Sequence, residues 1–176
     1  MPDADVQLSL DLPLDSPLAG KVKNDRTMMI FNFFALARER VTKLPPYDDG
    51  RVKIEVKGTE EGVANIWDKE VLIYLASLIQ DKANRGNAIS AVVTFTAHDF
   101  FRITGTRANG QAYDRLEESL RRLKSTTVFT NIETGGEGED SGFSWVTGYK
   151  IQYRRGSGGE KVMKSISVEL CEGVPL

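Results

Sequence analysis

The chain is poor in the residues that build metal and disulfide sites. Its 176 residues include one cysteine, Cys171, and one histidine, His98. A structural zinc site takes about four Cys or His ligands and a disulfide takes two cysteines, so neither forms within one copy. A reducing, cytoplasmic setting is the expectation. His98 has no second imidazole to share a metal or a proton relay, and it is expected at the surface. Long apolar runs are also missing, and none approaches the roughly 20 residues that span a bilayer. The first residues are acidic and lack an apolar signal core, so secretion is not expected. No clustered metal-binding acids, no tyrosine beside histidines and no Ser/His/Asp set can be assembled. The glycine run TGGEGEDSG lacks the Lys-Ser/Thr ending of a phosphate-binding loop. The chain is therefore expected to be a binding protein, not an enzyme, with no metal and no cofactor.

What is present suits one domain with its own core, since 40% of the residues are hydrophobic. The formal net charge of −2 argues mildly against a nucleic-acid partner. Its distribution argues otherwise. Residues 1–20 hold four aspartates and no lysine or arginine, which leaves +2 for residues 21–176. What matters for DNA is the local field.

Residues 1–26, with Pro2, Pro13 and Pro17 and no helical period, read as a flexible acidic tail. The run from Met28 to Leu36 reads as a buried strand or a short helix, which periodicity alone does not separate. A turn-rich loop follows at residues 43–50. Alternation in residues 51–57 predicts a strand. Asn65 with Asp68 predicts a capping box opening a helix that ends before Gly86, with Val71, Leu72, Leu75, Leu78 and Ile79 as its core stripe. Trp67 and Tyr74 flank that stripe. Residues 91–96 are β-branched and predict a strand. Thr96 with Asp99 predicts a second capping box and a short helix, with Phe100 and Phe101 in the core and Gly105 closing it. A longer helix is predicted from about Asn109 to Lys124. Two β-rich runs, residues 126–133 and 143–153, flank TGGEGEDSG, which reads as a hairpin loop. A second loop at residues 156–160 precedes a last strand over residues 162–170.

Helix, strand, helix, turn, helix, strand, loop, strand is the order of a winged helix-turn-helix. The predicted fold is α+β, a winged helix over residues 27–176 with added N-terminal and C-terminal strands. Such domains also serve as protein-binding modules, so topology alone does not decide function. The third helix adds more. Ala112, Leu116, Leu120 and Leu123 form a buried stripe, and Gln111, Arg115, Glu118 and Arg122 follow the same spacing on another face. That face offers amide and guanidinium groups to base edges or phosphates. The plainer reading, a solvated surface with ion pairs one turn apart, is supported by Asp114, Glu117 and Glu118. Residues 98–125 carry +2 and residues 144–161 carry +3. Cations there, including Arg154 and Arg155, would release counterions along a DNA backbone. The acidic loop is the wing in this reading, and with Glu137, Glu139 and Asp140 it would repel phosphate, so it is not expected to be a groove-inserting arm. Trp67 and Trp145 read as core or interface anchors and not as stacking platforms.

The stretches ANIWDKEVLIYLASLI, VTFTAHDFFRITG and QAYDRLEESLRRLKSTTVFTNIET, with FSW at residues 143–145, closely resemble the plasmid replication initiator protein A family. The resemblance runs from about Met28 to Leu170. It implies binding to repeated origin sequences in double-stranded DNA, a homodimer, recruitment of host replication proteins such as the replicative helicase, and often repression of the initiator's own gene. It also implies two winged-helix domains, of which this chain would be the first. The residues expected at DNA are Arg107, Asn109, Gln111, Arg115 and Arg122, with Arg154 and Arg155 on the backbone. In the tail, Gln7, Leu8, Leu10 and Leu12 resemble the hexapeptide that docks on the DNA polymerase sliding clamp. An edge strand pairing within a dimer is the alternative for that segment. The alternative for the whole chain is a module for dimerisation and protein recruitment, or a repressor without initiator activity.

Overall fold

The computed structural model describes residues 33–36, 40–87 and 90–171. The tail, with Gln7, Leu8, Leu10 and Leu12, and most of the Met28–Leu36 run lie outside these residues. The described residues form ten elements: β1 (Tyr47–Asp48), β2 (Val52–Lys57), α1 (Ile66–Asn84), β3 (Val92–Phe95), α2 (Ala97–Thr104), α3 (Gly110–Ser125), β4 (Thr127–Thr134), β5 (Glu137–Ser144), β6 (Val146–Arg155) and β7 (Lys161–Leu170). The described residues form an α+β fold with two antiparallel sheets.

The alternation read in residues 51–57 produces β2, which buries Val52, Ile54 and Val56 and exposes Lys53, Glu55 and Lys57. Before it, one carboxylate oxygen of Asp49 accepts the N–H groups of Arg51 and Val52 at 2.9 and 2.8 Å. These bonds turn the chain and hold the Asp49 carboxyl below its usual range. β2 pairs with β1 on one side and β4 on the other, and β4 pairs with β5, giving the order β1-β2-β4-β5.

The acidic glycine run departs from its reading as a loop. Only Gly135 and Gly136, at φ +63° and +82°, form the turn, and Glu137–Ser144 is strand paired to β4 from Thr134↔Glu137 to Thr127↔Ser144. Two positive φ angles match the twist of a two-residue hairpin turn. Strand propensity in EGEDSGFS is low, and its ladder with β4 overrides it. The ring of Phe129 lies across Gly142, supplying the packing surface that the glycine lacks. The predicted run over 143–153 is likewise two strands. Ser144 ends β5, Trp145 crosses over, and Val146 begins β6 in the other sheet, ordered β3-β7-β6.

Asn65 caps α1 as expected: its side chain accepts from the N–H groups of Trp67 and Asp68, while Asp68 accepts from the Asn65 N–H. Val71, Leu72, Leu75 and Tyr74 are buried. Leu78 and Ile79 pack against the core only partly covered. Thr96 caps α2 through the Asp99 N–H at 3.1 Å. Asp99 takes different partners from the predicted reciprocal bond: the Tyr74 hydroxyl donates to it at 2.6 Å and Arg102 at 2.7 Å. These bonds, Tyr74's first, hold the Asp99 carboxyl low, and burial followed by the Asp99 carboxylate raises the Tyr74 hydroxyl. Gly105 closes α2 in the left-handed conformation.

One continuous core joins both sheets to the helices, with Ile54, Leu75, Leu120, Leu123, Val128 and Ile166 among its most buried members. Thr126, fully buried after α3, accepts the Ala64 N–H at 2.8 Å, so one side chain ties the start of β4 to the chain entering α1. Trp145 is core, stacked on Phe34 and met edge-on by Phe33 and Phe143. Among the described residues its buried Nε1 has no hydrogen-bond partner. Trp67, in contrast, is 43% exposed and is not a core anchor. Ala35 forms a single bridge to the backbone at Asn65, so the described end of the N-terminal apolar run passes beside the α1 cap.

Candidate nucleic-acid interface

The segment expected to face DNA folds as two helices, α2 and α3, joined by a turn. Ala112, Leu116, Leu120 and Leu123 form the buried seam of α3, joined by Ser119. Arg107 in the turn and Gln111 and Arg115 in the first half of α3 are exposed. The Gln111 side chain accepts from Arg115 at 3.4 Å, one turn apart. Asn109 is exposed but occupied: its oxygen accepts the Ala112 N–H at 2.9 Å and caps α3.

Arg122 follows Arg115 on the helix but is largely covered and already engaged, which counts against it as a free DNA contact. Its guanidinium donates to both oxygens of Asp68, at 2.7 and 2.8 Å. Asp68 is fully buried, and the Arg122 side chain keeps 19% of its exposure. The hydrogen bonds to Asp68 hold the Arg122 guanidinium above its ordinary pKa. Helical spacing put Arg122 two turns beyond Arg115 but could not show a buried carboxylate waiting on α1. The pair locks the start of α1 onto α3. Arg121 is also engaged, with Glu61 at 2.5 Å.

The second cationic group lies on the β6–β7 hairpin, whose turn is residues 156–160. Arg154 and Arg155 are exposed there. Arg155 stands opposite Lys161 in the ladder. Both lie over the exposed ring of Tyr153, the Arg155 guanidinium 5.3 Å and the Lys161 ammonium 4.7 Å from its centre. Arg155 also donates to the Gly159 carbonyl at 3.1 Å, bracing the turn. Lys161 reaches Glu117 on α3, 3.6 Å away, so hairpin and helix meet at an ion pair. Lys124, near the end of α3, donates to the Thr147 carbonyl on β6 at 3.2 Å. The structure thus brings Arg155 near α3, and it places Arg122 elsewhere. Sequence reasoning counted Lys161 among the cations of residues 144–161 but missed Tyr153 and Glu117 as its partners. A register irregularity between Gln152 and Tyr153 shifts which side chains share a face, and alternation alone does not reveal it.

α3 also carries Asp114, Glu117 and Glu118 on its outer surface, so the helix by itself is not a cationic rod. Exposed cations stand at Arg107 before the helix, at Arg115 within it and on the neighbouring hairpin. His98 is exposed beside Asp99, and no group of three potential metal ligands occurs among the described residues.

Residues 23–174 match the family model described as replication initiator protein A. The chain belongs to that family. A protein of Wigglesworthia glossinidia brevipalpis named "Putative replication protein" is 41% identical to this initiator-family chain over 92 residues, 52% of the chain and 34% of the relative. Two crystal structures of domains 2 and 3 of RctB share the fold, with TM-scores of 0.62 and 0.59 at 17% identity. Each is matched over 81% of this chain and over 57% and 55% of its own length. The chain therefore spans about a third of the curated relative and little more than half of the two-domain structures. No helix among the described residues is long and apolar enough to cross a membrane.

Proposed function

We propose that the chain is a DNA-binding domain that acts in replication initiation. In this reading α1, β3, α2, α3, β7 and β6 form a winged helix. The wing is the β6–β7 hairpin, and the β4–β5 hairpin is an insertion that pairs with the N-terminal strands. The sheet order β3-β7-β6, with β3 between α1 and α2 and the β6–β7 hairpin after α3, supports this reading. It also removes the objection of an acidic wing, because Glu137, Glu139 and Asp140 lie on β5, in the other sheet. The observation that carries the proposal is the cluster of exposed cations on the hairpin, with Lys161 held against α3.

Arg107, Gln111 and Arg115 would approach the groove, with Asn109 holding the helix start in place. Arg154 and Arg155 would lie on phosphates. The partner would be double-stranded origin DNA, the working form a cytoplasmic homodimer, and no catalytic step is assigned. Family membership supports the origin as target. Gln7, Leu8, Leu10 and Leu12 would recruit the sliding clamp, and a replicative helicase would be loaded through the assembled initiator.

Binding of the chain to origin-repeat and random duplexes, at two salt concentrations and alongside its sedimentation, tests this. Salt-sensitive binding is expected. Arg154→Ala with Arg155→Ala should flatten the dependence of log K on log salt by about two, at roughly 0.9 for each phosphate no longer neutralised. A dimer with no measurable affinity for either duplex would favour the second reading, a protein-recruiting module. The carboxylates on the outer surface of α3 are the observation behind that reading.

A further inference from the structure

We infer that Glu117 is an internal competitor for Lys161, one that limits the chain's affinity for DNA backbone in general and sets the position of the hairpin against α3. The inference rests on the duplex-binding reading. Glu117 projects from the middle of α3 and meets the Lys161 ammonium at 3.6 Å; both side chains are about two-thirds covered. Lys161 is thus held on one side by a carboxylate and on the other by the face of Tyr153. Arg155, across the ladder, shares that ring and braces a turn carbonyl, with no carboxylate paired to it among the described residues. Arg155 and Lys161 are therefore unequal. Arg155 is available to a phosphate, whereas Lys161 must first exchange a carboxylate for one.

An exchange of this kind costs little where the duplex offers further contacts to α3. It costs most of the gain where only the backbone is touched. Asp114, one turn earlier on the same helix, supplies the comparison: it is an exposed acid with no ion-pair partner among the described residues.

The test is a set of variants read by anisotropy on a random duplex across a salt series. Glu117→Gln is expected to tighten random-duplex binding by about twofold to fivefold, the worth of one exposed pair. It should also steepen the salt dependence by up to about one, for the phosphate that Lys161 then neutralises freely. In a Lys161→Ala background the same substitution should give a markedly smaller gain. Asp114→Asn, which removes the same charge, should give similar gains in both backgrounds. Equal behaviour of Glu117→Gln and Asp114→Asn, with no dependence on Lys161, would overturn the inference and leave duplex binding standing. If the unaltered chain binds no duplex at any salt concentration, both fail together.

Discussion

Replacing Arg122 with alanine should unsettle the fold while leaving the DNA surface untouched. Asp68 is fully buried and accepts three hydrogen bonds: two from Arg122, at 2.7 and 2.8 Å, and one from the Asn65 N–H at 2.9 Å. The alanine removes two charge-assisted bonds, each worth about 1.5–3 kcal/mol. It also strands an anion where water does not reach. The loss should fall near the roughly 3–5 kcal/mol typical of a broken buried pair. That is a large share of the roughly 5–15 kcal/mol that stabilises an ordinary domain. Urea unfolding followed by circular dichroism measures it. Arg122→Met with Asp68→Leu should recover part of the loss, because the stranded charge goes with its partner while the Asn65 N–H loses its acceptor. Duplex affinity, corrected for the folded fraction, should match the parent chain. The reasoning is refuted if Arg122→Ala costs under about 1 kcal/mol, well short of any broken buried pair, or if it weakens DNA binding in a chain that remains fully folded.

Three further outcomes follow from the same geometry. Thr126→Val keeps the shape but orphans the Ala64 N–H, and should cost about 1–3 kcal/mol in the same urea assay. Tyr74→Phe should change the acid limb of the stability profile. The Asp99 carboxyl titrates below its unfolded value, so the stability it brings is complete above about pH 5 and is lost as the pH falls below about 4. Without the tyrosine hydroxyl that loss should shrink, and an unchanged acid profile would refute the link. Gly136→Ala, at φ +82°, should destabilise by about 1 kcal/mol, whereas Gly135→Asn should be tolerated, because asparagine accepts the left-handed region that alanine avoids. Thermal melts of the two variants check this.

Periodic and capped segments were legible before any coordinates. The stripe and cap of α1, the Gly105 stop after α2 and the aliphatic seam of α3 each repeat a local rule, and each stands as read. What escaped depends on distant pairing. The strand EGEDSGFS looks like a loop because its partner, β4, supplies what its own side chains lack. Phe143 and Val146 are three residues apart yet belong to different sheets, and no local pattern marks the crossing at Trp145. At the candidate interface, sequence could list the cations but not which were already engaged. Arg122 and Arg115 are equivalent on a helical wheel, and only Asp68, 54 residues earlier, tells them apart. Tyr153, Arg155 and Lys161 share a face only because of the irregularity after Gln152.

The crossing at Trp145 also links the two ends of the molecule mechanically. Phe33 and Phe34 grip the indole that roots β6, and β6 runs outward to Arg154 and Arg155. A pull on the chain just ahead of Phe33 would have to unstack those rings before it could go further, and the strain would arrive first at the base of the hairpin.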